Sequence, residues 1–150
     1  MTRVLGLDLG SKRIGVAVSD GLGLTAQPHG MIPRHGGKRD LDAVAAVVQK
    51  LGAERIVLGL PLDPAGLETD AARRARDFAE KLRGHLALPV DLIDESYSTV
   101  EAEEVLLAAD VSRKRRREVI DKLAAAVILQ RWLDGQRAAA NKIGKEGPSS

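Results

Sequence analysis

Cysteine is absent from the 150 residues, which excludes a disulfide framework, a thiol nucleophile and a thiolate zinc site. The histidines His29, His35 and His85 stand too far apart for ligand spacing, so any metal ion would have to be held by oxygen. Aromatic residues are reduced to Phe78, Tyr97 and Trp132. That is too few for a platform that stacks successive unpaired bases, and a nucleic-acid ligand would be met through its backbone. Long apolar runs are also missing. The longest, residues 123–129, is far short of a bilayer span, and residues 1–10 lack the apolar core of a secretion signal. These absences predict a cytoplasmic protein without membrane contact. The net charge of +2 is close to none, so only its local distribution can steer a partner.

What is present, 44% hydrophobic and 29% charged residues, is the composition of a globular chain long enough to bury a core without staples. We expect one domain over residues 1–136 and a flexible tail over 137–150. The first ordered stretch, VLGLDLGSKRIGVAVSD, reads as a hairpin. Alternation sets Val4, Gly6 and Asp8 on one face and Leu5, Leu7 and Leu9 on the other. Gly10 and Ser11 supply the turn. On the return strand Ile14, Val16 and Val18 share one face, while Gly15, Ala17 and Ser19 leave the other almost bare. An acid beside that bare face either hydrogen-bonds the turn or meets a metal ion, a phosphate or a closely packed helix.

Further along, Pro28, Gly30 and Pro33 suggest an edge strand broken by turns over residues 25–34. Helical spacing over 39–51 ends at Gly52. RIVLGL, residues 55–60, reads as a strand buried on both faces, residues 71–86 as a second helix, and 88–93 as another buried strand. Asp94 and Glu95 close that strand. Ser98 with Glu101 three residues later has the form of a capping box, so Ser98 and Thr99 either cap a helix to about residue 109 or meet substrate. A last helix is predicted over 115–136, with Ala124, Ala125 and Ala126 allowing close approach to the bare face of the hairpin. Asp121 lies on the apolar flank of that helix; it either comes toward Asp8 or pairs with Arg117 one turn earlier. Just ahead of the helix, Arg113, Lys114, Arg115, Arg116 and Arg117 form a run that is either solvated or set against phosphates. Lys12 and Arg13 pose the same alternative on the hairpin turn. Strands alternating with helices after an antiparallel hairpin indicate an α/β domain, with ligands gathering at the carboxyl ends of its strands.

Three motifs, LGLDLGSKRIGVAVSD, IDESYST and VIDKLAAAVILQRWLD, together with the strand IVLGLP, make the chain resemble the RuvX (YqgF) family over nearly all of residues 3–134. Members are described as Holliday junction resolvases and as nucleases of pre-16S rRNA. The resemblance implies a ribonuclease H-like fold, a five-stranded mixed sheet in the order 3-2-1-4-5 flanked by helices. It implies that Asp8, Glu95 and Asp121 form an acidic triad for Mg²⁺ or Mn²⁺, and that phosphodiester hydrolysis leaves 5′-phosphate and 3′-hydroxyl ends. Structured RNA or branched DNA would be the partner, and the protein a monomer or homodimer. The first activity implied is processing of the 5′ end of pre-16S rRNA in ribosome biogenesis; the alternatives are resolution of Holliday junctions and a non-catalytic adaptor. One departure stands out: members usually read DERLST where Ser96 and Tyr97 stand here in place of Arg and Leu. An actin-like kinase, which shares the D-x-G-[ST] turn, would need a second lobe for which this chain has no room.

Overall fold

The alternation of the first hairpin is realised as β1 (Arg3–Leu9) and β2 (Arg13–Ser19), antiparallel with Leu5 opposite Val18 and Asp8 opposite Gly15. The structure is a computed structural model describing residues 3–63, 65, 67–94 and 113–145, with side chains in the last stretch described for 123–140. β3 (Ala26–Pro33) adds to β2 at the edge of the sheet. Its prolines are tolerated because an edge strand has one unpaired side, and the expected breaks reduce to a register slip opposite Val16 and Ala17. β4 (Ala53–Leu60) pairs in parallel with β1, and β5 (Val90–Asp94) in parallel with β4. The sheet order is therefore β3-β2-β1-β4-β5, as the resemblance implied.

Helices α1 (Gly37–Leu51) and α2 (Asp70–Leu86) cover one face. There Leu5, Leu7, Ile14, Val16, Ile56 and Leu58 meet Val44, Ala75, Phe78 and Leu82 in one core cluster. The opposite face belongs to α3 (Arg113–Lys145), whose Ala125, Ala126, Ile128, Leu129 and Leu133 bury Val4, Ala17 and Val57. Small residues set the spacing of this second layer. A Cβ on Gly6 would stand 2.7 Å from the Leu129 Cβ and 3.0 Å from the Ala125 carbonyl oxygen, so the helix lies on bare backbone. Beside it, buried Ser19 accepts a hydrogen bond from Val4 N–H at 2.8 Å, which satisfies the hydroxyl on an otherwise apolar face.

Two elements differ from expectation. β5 begins at Val90, and only that residue is buried, the rest being half-buried or exposed; at the edge of the described sheet, Leu92 and Ile93 pack against the two core clusters without being fully enclosed. The last helix starts at Arg113 and passes Gly135 to reach Lys145, covering residues assigned above to a tail. A single exposed Gly costs a helix only about 1 kcal/mol, and the alanines that follow at 138–140 sustain it. The helix expected after Ser98 lies outside the described residues. Among the described residues no helix is long and apolar enough to cross a membrane.

Candidate active site

Asp8, Gly15 and Met31 form one row across β1, β2 and β3. Cross-strand partners share a face, and this row lies on the α3 side, one step beyond the Gly6–Ala17 row that Ala125 and Leu129 cover. Because Gly15 brings no side chain, the row opens into a cleft of about 220 Å³ lined by Asp8, Gly10, Ser11, Lys12, Arg13, Gly15 and Met31. Asp8 is half-buried in it; Lys12 and Arg13 are exposed at its rim. The turn closes through Gly10 N–H donating to Arg13 O at 2.9 Å. A Cβ at Gly10 would stand 2.7 Å from that same oxygen, so a side chain there would force the turn open. A carboxylate, two cations and a space between them suit a phosphodiester near a divalent ion.

The turn is tied down from behind. Arg34 Nη1 donates to Gly10 O at 2.9 Å, and Arg34 N–H donates to Lys12 O at 2.9 Å. Arg34 Nε donates in turn to Asp40 Oδ2 at 3.1 Å, and the backbone N–H groups of His35 and Gly36 donate to the same carboxylate. Burial, the largest single influence, pushes the Asp40 carboxyl up, but the hydrogen bonds from His35, Arg34 and Gly36 together hold it below its ordinary value. A lowered folded-state pKa stabilises the fold above the unfolded-state value of about 3.9 and is lost as pH falls through the lowered value. Asp40→Asn is accordingly expected to cost about 1.5–3 kcal/mol near neutrality. Its melting temperature should fall less steeply than that of the wild type on acidification below about pH 4. Thermal denaturation across that range checks this, and parallel profiles would count against the ionised carboxylate.

Of the residues singled out in the sequence, Asp8, Lys12 and Arg13 come together at the cleft. Glu95, Ser98 and Thr99 lie outside the described residues, as do the side chains of Arg113, Lys114, Arg115, Arg116, Arg117 and Asp121. The backbone of the basic run forms the first turns of α3 and is not a segment ahead of the helix; it shares one continuous helix with residue 121. Among the described residues no group of three His, Asp or Glu side chains could hold a metal ion. Arg34 and Asp40 were not foreseen. The available signal was an acid in the first turn of a helix that opens on Gly36 and Gly37, where a carboxylate can bond back to the preceding N–H groups. At the far end of the sheet Arg55 pairs with Asp91 at 2.7 Å beneath Trp132, whose Nε1 donates to the same carboxylate at 3.2 Å.

The chain matches, over residues 2–135, the family model described as "RuvX: Holliday junction resolvase". The "Putative pre-16S rRNA nuclease" of Myxococcus xanthus is 54% identical over 135 residues, 90% of this chain and 89% of the relative. The protein of the same name from Syntrophomonas wolfei is 51% identical over 133 residues, 89% of this chain and 94% of the relative. Among solved structures, RuvC of Thermus thermophilus in complex with a Holliday junction substrate aligns with a TM-score of 0.56. That match has 17% identity and covers 92% of this chain and 97% of that chain, a likeness of fold.

Proposed function

Because the chain belongs to the RuvX family of nucleases, we propose that its cleft hydrolyses phosphodiester bonds of pre-16S rRNA in the cytoplasm, with Asp8 as the central metal-holding carboxylate. The observation that carries this is the Asp8–Gly15–Met31 row, which sets an acid in a cleft directly beyond the rows that Ala125 and Leu129 cover.

The register of α3 supports Asp121 as a second ligand. Leu133 lies by Val4 at one end, and Ala125 and Leu129 lie on Gly6, so the helix runs antiparallel to β1. One further helical turn, about 5.4 Å, leads from residue 125 to residue 121, much as two strand residues, about 6.6 Å, lead from Gly6 to Asp8. Glu95 follows directly on β5, where Asp91 and Ile93 face α3. β5 is two strands from β1, or about 10 Å, a span better suited to Glu than to the shorter Asp.

The donors fit a hard cation. Asp8 offers oxygen, Gly10 and Gly15 leave room, and among the described residues lining the cleft there is no imidazole and the thioether of Met31 is the one soft group, a set that suits Mg²⁺ or Mn²⁺. When bound, such an ion would polarise the scissile phosphate and acidify the attacking water. The chain's own part is then to orient and neutralise: Asp8 fixes the reacting end, and Lys12 and Arg13 take the charge of a neighbouring phosphate.

Offering the purified protein a pre-16S rRNA fragment, duplex DNA and a four-way junction in parallel, with Mg²⁺, Mn²⁺ or a chelator, tests the reading. Cleavage of the RNA that the chelator abolishes is the expected result. Cleavage confined to the junction would overturn the substrate, and undiminished cleavage in chelator would overturn the metal. The basic run gives a second expectation. Replacing Arg115 and Arg116 by Ala should weaken all nucleic-acid ligands alike and make the slope of log affinity against log salt shallower by roughly one to two units. A slope equal to that of the wild type would mark the run as merely solvated.

A further inference from the structure

Arg34 and Asp40 do not line the cleft, yet they hold its turn from outside the hairpin through two hydrogen bonds. The two carbonyls that bracket the tip residue Ser11, those of Gly10 and Lys12, both accept from Arg34, one from the guanidinium and one from the backbone, each at 2.9 Å. The guanidinium is itself fixed. Its Nε is held at 3.1 Å by Asp40, which is 2% exposed, and Asp40 is held by His35 N–H at 2.9 Å and Gly36 N–H at 3.1 Å. A chain of hydrogen bonds therefore runs from the start of α1, through one planar fork, to the turn that follows Asp8.

Stability alone is a poor reason for such a pair, since buried ion pairs can often be replaced by apolar residues at no loss. Geometry is a better one. A guanidinium presents donors in fixed directions, so it can hold a carboxylate and a carbonyl at a set angle, which an ammonium cannot do. The turn needs this help because the described side chains of α3 cover the Gly6–Ala17 row and the turn lies beyond it.

We propose that the Arg34–Asp40 pair is a positioning device for the nuclease site, fixing the β1–β2 turn so that Asp8, Lys12 and Arg13 keep one arrangement toward the scissile phosphate. The inference rests on the assignment of the Asp8 cleft as the active site. Arg34 and Asp40 touch no substrate; they act through Gly10 and Lys12, and their loss therefore slows the step that depends on alignment without weakening the grip on nucleic acid.

The test is steady-state cleavage by the full-length protein carrying Arg34→Lys, Arg34→Ala, Asp40→Asn, Asp8→Asn or Arg55→Ala. The last removes an ion pair of the same kind at the far end of the sheet. In Arg34→Lys and Asp40→Asn, kcat should fall about 10- to 100-fold while KM stays near its wild-type value. Guanidinium ion at millimolar concentration should restore part of the rate of Arg34→Ala, and Arg55→Ala should keep its kcat even where its melting temperature drops. Wild-type kcat in Arg34→Lys and Asp40→Asn, with Asp8→Asn inactive, would overturn the positioning role and leave the active site standing. A loss expressed only in KM would overturn it as well. Full activity in Asp8→Asn would instead remove the site on which the inference is built. Should Asp40→Asn fail to fold, the kcat of Arg34→Lys decides the matter.

Discussion

Asp8→Asn is expected to abolish phosphodiester cleavage while leaving nucleic-acid binding near the wild-type level. The substitution keeps the size and one oxygen of the side chain but removes the negative charge that a divalent ion needs. Altering a residue that merely supports a metal ligand costs about 10- to 100-fold, so removing the carboxylate proposed as the central ligand should cost more than about 100-fold. Binding is spared because the cations proposed to hold the backbone, Lys12, Arg13 and the run at the start of α3, are untouched. Cleavage of a labelled RNA fragment beside a filter-binding titration measures both quantities on one preparation. Full activity with Mg²⁺ or Mn²⁺ would sink the assignment, and a parallel loss of binding would point to collapse of the hairpin.

Gly6→Ala should have the largest effect on the fold. The added methyl would sit 2.7 Å from the Leu129 Cβ and 3.0 Å from the Ala125 carbonyl oxygen, and neither atom is the far end of a flexible side chain. Leu129→Ala would not relieve the clash, because alanine keeps the offending Cβ. The helix must move off the sheet, at a cost of about 1–3 kcal/mol for an overpacked core, or a melting temperature lower by roughly 2–12 °C in a chain of this size. Since α3 also contains residue 121, cleavage should fall in the folded fraction as well. Thermal denaturation and cleavage assays on the same sample separate the two effects. A melting temperature within about 1 °C of the wild type would show that the two layers are less tightly seated than these distances imply.

The hairpin side of the candidate site was legible because strand alternation is a strict rule. The placement of Asp8 with Val4 and Gly6, and of Gly15 with Ala17, follows from period two alone, and the structure has these residues on the α3 face. The run Ala124 to Ala126 likewise signalled a helix able to come close. The Arg34–Asp40 brace was not legible, because an Arg at the end of a proline-containing edge strand and an Asp in the first turn of a helix each have an ordinary local explanation. Only the pairing of Arg34 with Lys12 and Gly10 across the sheet joins them. The end of α3 was misjudged for a different reason. Gly135 carries the look of a stop signal, but it is exposed and lies in an α-helix that continues past it, where its cost is small enough for neighbouring residues to offset.

The division of the sheet between two layers also orders events while the chain is being made. β1 to β5 and both helices of the first layer are complete by Asp94, and a domain emerging from its amino end can assemble what it already has. Val4, Ala17 and Val57 must wait for residues 125–133. Until then the nascent protein carries an uncovered apolar face with the Asp8 carboxylate at its margin. On the proposed assignment, a chain terminated before residue 121 is a sheet without that carboxylate, and the nuclease is armed only once residues 121–133 have been made.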